Sequence, residues 1–205
     1  MAGRAVPRLI RFVGWMLQTI AIVAGIWYAM QCAAILTGWT AMMVVPNLHG
    51  WVPPTALPQI NQLEIAGMDR LTIDVVPYGI RVLGASAVAC EGVALVYAVI
   101  LVRRITVLIS GGRPFDPRVS VAMARVSVVL VAGSILRGVL DVVTISAVHS
   151  WFETLVVEHI HAAGGSLSTS PEFPLALFVC GAVAGCLVVA FREGARLQED
   201  AVGVV

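Results

Sequence analysis

The fold is decided by the stretch Val119–Val148, which reads VSVAMARVSVVLVAGSILRGVLDVVTISAV. Its apolar character continues well past the roughly 20 residues that a helix needs to cross the hydrocarbon core of a bilayer. It also lacks the charged face that a soluble amphipathic helix presents to water. Three other stretches share this character. The sequence therefore predicts an all-α membrane protein, a bundle of four transmembrane helices at about 9–37, 78–102, 119–148 and 173–192.

The composition excludes a soluble domain of this length. Hydrophobic residues make up 59% of the 205 residues and charged residues 12%, whereas soluble domains have roughly 45–50% and about 25%. The surplus of apolar side chains must therefore face lipid. The net charge of +1 provides no field that would recruit nucleic acid, so we expect no direct binding of nucleic acid.

The first apolar stretch follows a positively charged leading segment, as the core of a signal peptide does. Its apolar run is longer than the roughly 7–15 residues of a signal core. We therefore predict that it is a retained helix and that residues 1–205 form a single membrane domain.

The arginines predict the orientation of the four spans. All 13 basic residues are arginines, and nine of them lie at or before the start of the first span, between the second and third spans, or at or after the end of the fourth. The other two connections hold only Arg70, with Arg81 just inside the second span. By the positive-inside rule, both termini and the inner loop 103–118 are expected in the cytoplasm, and the outer loops 38–77 and 149–172 on the opposite side.

The two outer loops contain weaker patterns. Residues 63–75 alternate between apolar and polar side chains, which predicts a short strand or hairpin. The second outer loop is predicted to begin as a helix and to end in a Gly/Ser-rich turn over residues 164–170. The histidines lie in these outer regions, but their spacing matches no standard ligand pattern, so we expect no metal site and no cofactor. They are His49, His149, His159 and His161.

Three charged residues form a predicted intramembrane charge cluster. Glu91 lies near the middle of the second span, and Arg137 and Asp141 lie four residues apart in the third. Charges within membrane spans are costly and are therefore candidates for function. Two interpretations stay open at this point: a structural pairing of the three charges, and a relay for protons or ions through Glu91.

Small residues in the fourth span predict close packing of that helix. Gly181 and Gly185 have the GxxxG spacing that lets membrane helices approach closely. This spacing favours packing within the bundle, although a homo-oligomer stays open.

The chain has no lysine, hence no P-loop lysine, and its serines lack a nucleophile elbow. We therefore predict that the protein is not an enzyme.

Two short motifs in the predicted cytoplasmic segments suggest a family. The inner loop contains SGGRPFDP at 110–117, and the tail contains FREGARLQED at 191–200. In both motifs the chain resembles the bacterial membrane protein family catalogued as domain of unknown function 2975, whose members look like four-span proteins. The resemblance implies a bacterial plasma membrane protein without an established enzymatic role. Because some members look to be encoded beside small helix-turn-helix regulators, it also implies such a regulator as a partner.

The chemistry of these motifs is consistent with contacts at the membrane edge. Pro114 and Pro117 interrupt a helix before the third span, and Asp116 is a candidate N-cap for that span. The tail is predicted to lie against the inner leaflet or to bind a partner, with a tail that frays into solvent as an open alternative. The candidate residues for contact with a partner or lipid are Arg113, Pro114, Phe115, Asp116, Phe191, Arg192, Gly194, Arg196 and Leu197.

These observations predict a non-enzymatic membrane protein that senses or regulates through a cytoplasmic partner. The alternative prediction is a small transporter or channel that uses Glu91, Arg137 and Asp141.

Overall fold

A computed structural model of the chain describes residues 6–37, 57, 60–65, 76–110, 116–159, 165–171 and 173–202. The helices are α1 (Val6–Thr37), α2 (Tyr78–Ser110), α3 (Pro117–His159) and α4 (Leu175–Val202). Two short strands, β1 (Ile60–Ile65) and β2 (Gly165–Thr169), lie between α1 and α2 and between α3 and α4 in the sequence.

Each helix contains a segment that is long and apolar enough to cross a membrane. The predicted set of four membrane-spanning helices is thus confirmed, and by length and composition the chain is a multi-pass membrane protein. The four segments are Phe12–Thr37, Tyr78–Ser110, Pro117–Thr154 and Leu175–Leu197.

Two helices continue beyond the predicted ends of their spans. The second span was predicted to end near 102, but α2 continues to Ser110, because no glycine or proline interrupts the sequence before Gly111. The third span was predicted to end near 148, and α3 continues to His159, which confirms that the second outer loop begins as a helix. At 1.5 Å per residue, the 43 residues of α3 span roughly 64 Å. This length is about twice the ~30 Å of a hydrocarbon core, so part of α3 lies outside it.

Side-chain and backbone caps fix where the helices begin. A carboxylate oxygen of Asp116 accepts a hydrogen bond from the backbone N–H of Arg118 at 2.8 Å, and its carbonyl accepts one from Val119 at 2.8 Å. These bonds satisfy N–H groups that have no partner within the first turn of a helix. The prediction that Asp116 caps the third span is confirmed.

Contacts divide the chain into two compact units, and α1, α2 and α3 each contribute to both. Unit 1 comprises residues 1–26, 91–135 and 174–205, and unit 2 comprises residues 27–90 and 136–173.

The core of unit 1 is built from regularly spaced apolar residues on α2 and α3. On α2 the buried residues Ala98, Leu101 and Ile105 recur at intervals of three and four, which places them on one helix face. They pack with Val119, Val126 and Leu130 of α3, and with partly buried residues that include Leu177 and Ala184 of α4.

Glycines allow the helices of unit 1 to approach closely. A Cβ at Gly133 of α3 would lie 2.5 Å from the Cβ of Ala94 on α2. A Cβ at Gly181 of α4 would lie 2.8 Å from Cγ2 of Val131 on α3, and one at Gly185 would lie 2.9 Å from Oγ of Ser127. The GxxxG pair of α4 therefore packs against α3 within the chain, as the sequence analysis favoured.

Unit 2 has its own apolar core. Ile35 of α1, Ile80 and Val88 of α2, and Val148 of α3 are buried together. Leu57 and Val76, which flank β1 and α2 in the sequence, are also buried in this cluster. The core therefore joins residues of the first outer loop to three helices.

An antiparallel sheet pairs β1 with β2, within unit 2. Leu63 lies opposite Leu167, and Ile65 lies opposite Gly165, with an irregularity between Ile60 and Gln62. The predicted turn over 164–170 is wrong, since residues 165–169 form a strand. The strand predicted within 63–75 overlaps β1 at residues 63–65, and the partner of β1 comes from the other loop. Residues 66–75 of the same prediction lie outside the described residues.

The packing of α4 on α3 makes the side-chain volume at Gly181 critical. We expect Gly181→Ala to lower the free energy of unfolding by roughly 1–3 kcal/mol, because Val131 must move to admit the new methyl group. The measurement is thermal unfolding in detergent micelles. Gly14→Ala is the matched control, because a Cβ at Gly14 meets nothing within 4 Å. Equal melting temperatures for the two variants would contradict the close approach of α4 to α3.

Candidate site: a buried polar face of α3

The buried polar and charged residues of the described chain all lie on α3. They are Ser134, Arg137, Asp141 and Thr144, with exposures of 0%, 4%, 1% and 0%. Their intervals of three, four and three residues match the 3.6-residue turn of a helix, so they follow one face of α3. The face lies within the apolar segment Pro117–Thr154, where polar groups are costly.

The two charges on this face form an ion pair within one helix. Nη2 of Arg137 lies 3.6 Å from Oδ1 of Asp141, and the residues are one turn apart. This distance exceeds the usual length of a hydrogen bond, so the contact between these atoms is electrostatic. The pair has no net charge, which lowers the cost of placing either charge in hydrocarbon.

The two hydroxyl groups are satisfied by the backbone of α3 itself. Ser134 donates to the carbonyl of Val131 at 2.9 Å, and Thr144 donates to the carbonyl of Leu140 at 2.7 Å. Serine and threonine commonly bond to the preceding turn in this way. Each hydroxyl oxygen keeps lone pairs that can still accept a hydrogen bond.

Arg137 and Asp141 of the predicted charge cluster are paired on α3. Glu91, the third residue of the cluster, is half-buried on α2. A pairing of Glu91 with Arg137 therefore stays a hypothesis. Ser134 and Thr144 were not among the predicted site residues, although their spacing from Arg137 and Asp141 was a usable signal.

The predicted contact residues of the inner loop and tail are placed only in part. Arg113, Pro114 and Phe115 lie outside the described residues, and Asp116 caps α3. In α4, Phe191 and Gly194 are half-buried, whereas the other three residues predicted for the tail are exposed; these are Arg192, Arg196 and Leu197.

An exposed ion pair lies among these tail residues. Nη1 of Arg196 is 3.6 Å from Oε2 of Glu193, and the two side chains are 73% and 63% exposed. Such a pair contributes little to stability. Leu197 is 68% exposed beside it.

A histidine of α3 connects that helix to the sheet of unit 2. Nε2 of His149 lies 3.0 Å from Oγ1 of Thr169, at the end of β2. No group of three histidine, cysteine, aspartate or glutamate side chains positioned for a metal occurs among the described residues. His49 and His161 lie outside the described part of the chain.

Comparisons with known proteins add no relative. No family model, no curated protein and no solved structure matches the chain.

The burial of the Arg137–Asp141 pair predicts a strong asymmetry between single and double substitutions. We expect Asp141→Asn to lower the free energy of unfolding by roughly 3 kcal/mol, because the guanidinium of Arg137 loses its carboxylate. The double variant Arg137→Gln/Asp141→Asn should recover much of this loss, because no charge is then buried.

The measurement is unfolding in mixed micelles, evaluated as a double-mutant cycle. Glu153→Gln is the matched control, because Glu153 is an exposed acid of the same helix. Additive effects of the two substitutions would contradict a coupled pair.

Proposed function

We propose that the protein is a non-enzymatic membrane protein that senses or regulates through a cytoplasmic protein partner. In this proposal it lies in a bacterial plasma membrane with both termini in the cytoplasm. The partner binds the end of α2, the start of α3 and the end of α4, which all belong to unit 1. The observation that carries the proposal is the mixed apolar and basic surface of these helix ends, above all exposed Leu197 beside Arg196.

The lengths of the helices support a surface outside the hydrocarbon. The 33 residues of α2 extend over roughly 50 Å, and the 28 residues of α4 over roughly 42 Å. Both exceed a hydrocarbon core of about 30 Å. With the second span ending near 102 and the fourth near 192, as the sequence predicts, Arg103–Ser110 and Arg196–Val202 begin at or beyond the edge of the core.

The exposed side chains of these ends have the composition of a protein interface. Val107 is 59% exposed and Leu197 is 68% exposed, and apolar residues exposed in this way outside lipid favour association. Arginine is enriched at interfaces because its guanidinium binds carboxylates in a fixed geometry. The exposed arginines of these ends are Arg103, Arg104, Arg118, Arg192 and Arg196.

The charge of this surface indicates the chemistry of the partner. The five exposed arginines of these ends outnumber their four acidic residues, which are Asp116, Glu193, Glu199 and Asp200. A partner with an acidic and partly apolar surface is therefore complementary to it. A small helix-turn-helix regulator is the class of partner that the family resemblance implies, and Arg113, Pro114 and Phe115 are proposed to join the same surface.

A photoreactive residue at Leu197 tests the partner directly. We expect it to crosslink a cytoplasmic protein in living cells, and we expect Arg196→Glu to reduce the yield several-fold, because an acidic surface would be repelled. The matched control is the same photoreactive residue at Val183, which is 53% exposed inside the apolar segment of α4 and should crosslink lipid.

Two results would count against this proposal. One is a yield of protein crosslinks at Leu197 no greater than at Val183. The other concerns orientation: with the four native cysteines replaced, Leu197→Cys should resist a membrane-impermeant maleimide in intact cells and react after permeabilisation. Labelling in intact cells would place the tail on the outside.

The alternative function is a small transporter or channel that uses Glu91, Arg137 and Asp141. The burial of Arg137 and Asp141 inside an apolar segment favours it, because charges at such positions often line the path of an ion. Glu91 is the one acidic residue of α2.

Substitution of Glu91 separates the two functions. From the proposed function, we expect Glu91→Gln and the unchanged protein to give the same ion or proton flux into liposomes, equal to that of protein-free vesicles. Flux through the unchanged protein that disappears in Glu91→Gln, with an unchanged melting temperature, would establish the transporter instead.

A further inference from the structure

A groove of about 530 Å³ lies between α1 and α2 in unit 1. Eight of its ten lining residues are apolar, and the remaining two are Gln18 of α1 and Arg103 of α2. The groove is thus apolar apart from one amide and one guanidinium. Its volume falls in the range of roughly 300–1,000 Å³ that small-molecule sites occupy.

The two polar residues lie at the same end of the groove. A Cβ at Gly25 would lie 3.8 Å from Cγ2 of Val96, and Sγ of Cys32 lies 3.5 Å from the carbonyl of Ala85. The residue numbers on α2 fall as those on α1 rise, so the two helices run antiparallel. Gln18 is seven residues before Gly25, and Arg103 is seven residues after Val96. Each therefore lies roughly 10 Å along the helix axis from the contact between Gly25 and Val96, in the same direction.

The dimensions of the groove match one leaflet of a bilayer. Its lining on α1 runs from Leu17 to Ile26, which is roughly 14 Å of helix. Half of a hydrocarbon core is about 15 Å. An acyl chain that lies along the groove would therefore reach from the polar end to the middle of the membrane.

The polar end has the charge that a phosphate requires. Arg103 lines this end and is exposed, and the segments 6–26 and 92–110 contain no aspartate or glutamate. A guanidinium is permanently charged and binds phosphate oxygens through paired N–H groups. Gln18 is an exposed amide inside the apolar segment of α1, where a headgroup would offer its N–H groups acceptors that hydrocarbon lacks.

We propose that this groove binds an anionic phospholipid, with an acyl chain between α1 and α2 and its phosphate on Arg103 and Gln18. The site takes lipid from the leaflet on the Arg103 side, which is the cytoplasmic leaflet in the orientation proposed above. The proposal does not depend on a protein partner, so the crosslinking experiment at Leu197 can fail without affecting it.

Native mass spectrometry of the purified, delipidated protein tests the site with phosphatidylglycerol as the probe. We expect phosphatidylglycerol to bind more tightly than phosphatidylcholine, and glycerol phosphate, which lacks acyl chains, not to bind. Arg103→Gln should weaken phosphatidylglycerol binding roughly tenfold, as expected for the loss of a charge-assisted hydrogen bond. Arg104→Gln removes the same charge from an exposed residue outside the groove lining and should change the affinity less than about twofold.

A second variant tests the apolar part of the groove. Gly25→Leu should fill it and reduce binding of phosphatidylglycerol to the level of Arg103→Gln, while thermal unfolding checks that the variant is folded. Equal losses for Arg103→Gln and Arg104→Gln would overturn the proposal, because binding would then reflect general surface charge. Full binding by folded Gly25→Leu would overturn it as well.

Discussion

The structure depends on one constraint, which is that backbone N–H and C=O groups inside hydrocarbon must bond within the protein. Lipid offers them no partner, so a chain that crosses a membrane without closing a barrel must do so as helices. The four long helices of this chain satisfy the constraint locally. The first residues of a helix lack partners for their N–H groups, and Asp116 supplies one at the start of α3.

Lipid, in place of water, also changes how the helices associate. Lipid tails are as apolar as the side chains, so burying apolar surface between helices gives little driving force, and close van der Waals packing must supply it. Gly133 brings α3 against Ala94 of α2, and Gly181 brings α4 against Val131 of α3. Replacing either glycine with alanine would lower stability through the added volume alone, without any change in polarity.

The spans were predictable from the sequence because the signal is local. A run such as Val119–Val148 needs no knowledge of the rest of the chain to be identified as a membrane helix. The N-cap at Asp116 and the spacing of Arg137 and Asp141 were predictable for the same reason. The continuation of α3 into the second outer loop was predicted, whereas α2 continues beyond the predicted end of its span, because hydropathy marks where lipid contact ends and a helix ends where its sequence is interrupted.

The sheet and the site were predictable only in part because they depend on contacts between distant residues. The strand 165–169 has the glycine and serine composition of a turn, and its strand conformation comes from pairing with 60–65 in the other loop. Local pattern cannot reveal such a pairing. Likewise Ser134 and Thr144 carry no sign of burial by themselves. Their 3-4-3 spacing with the charged pair becomes informative only when the whole face of α3 is considered.

The position of both charges on one helix gives the Arg137–Asp141 pair a role that a pair between helices could not have. Residues one turn apart meet as soon as the helix forms, before another helix packs against it. Each charge alone would oppose insertion of α3 by roughly 2.5–3.5 kcal/mol at the centre of the membrane. Because the two charges cancel within α3, the helix can enter the bilayer without waiting for a partner.

The chemistry of the pair also bears on what it can do after insertion. Arginine does not lose its proton in proteins, and the protons of the adjacent hydroxyls of Ser134 and Thr144 are bonded to the backbone of α3. A relay needs groups that exchange protons or partners, and of these four side chains only the carboxylate of Asp141 could do so without breaking a bond to the helix. The buried face therefore suits the insertion and packing of α3. The proposed function therefore rests on the basic and apolar helix ends of unit 1.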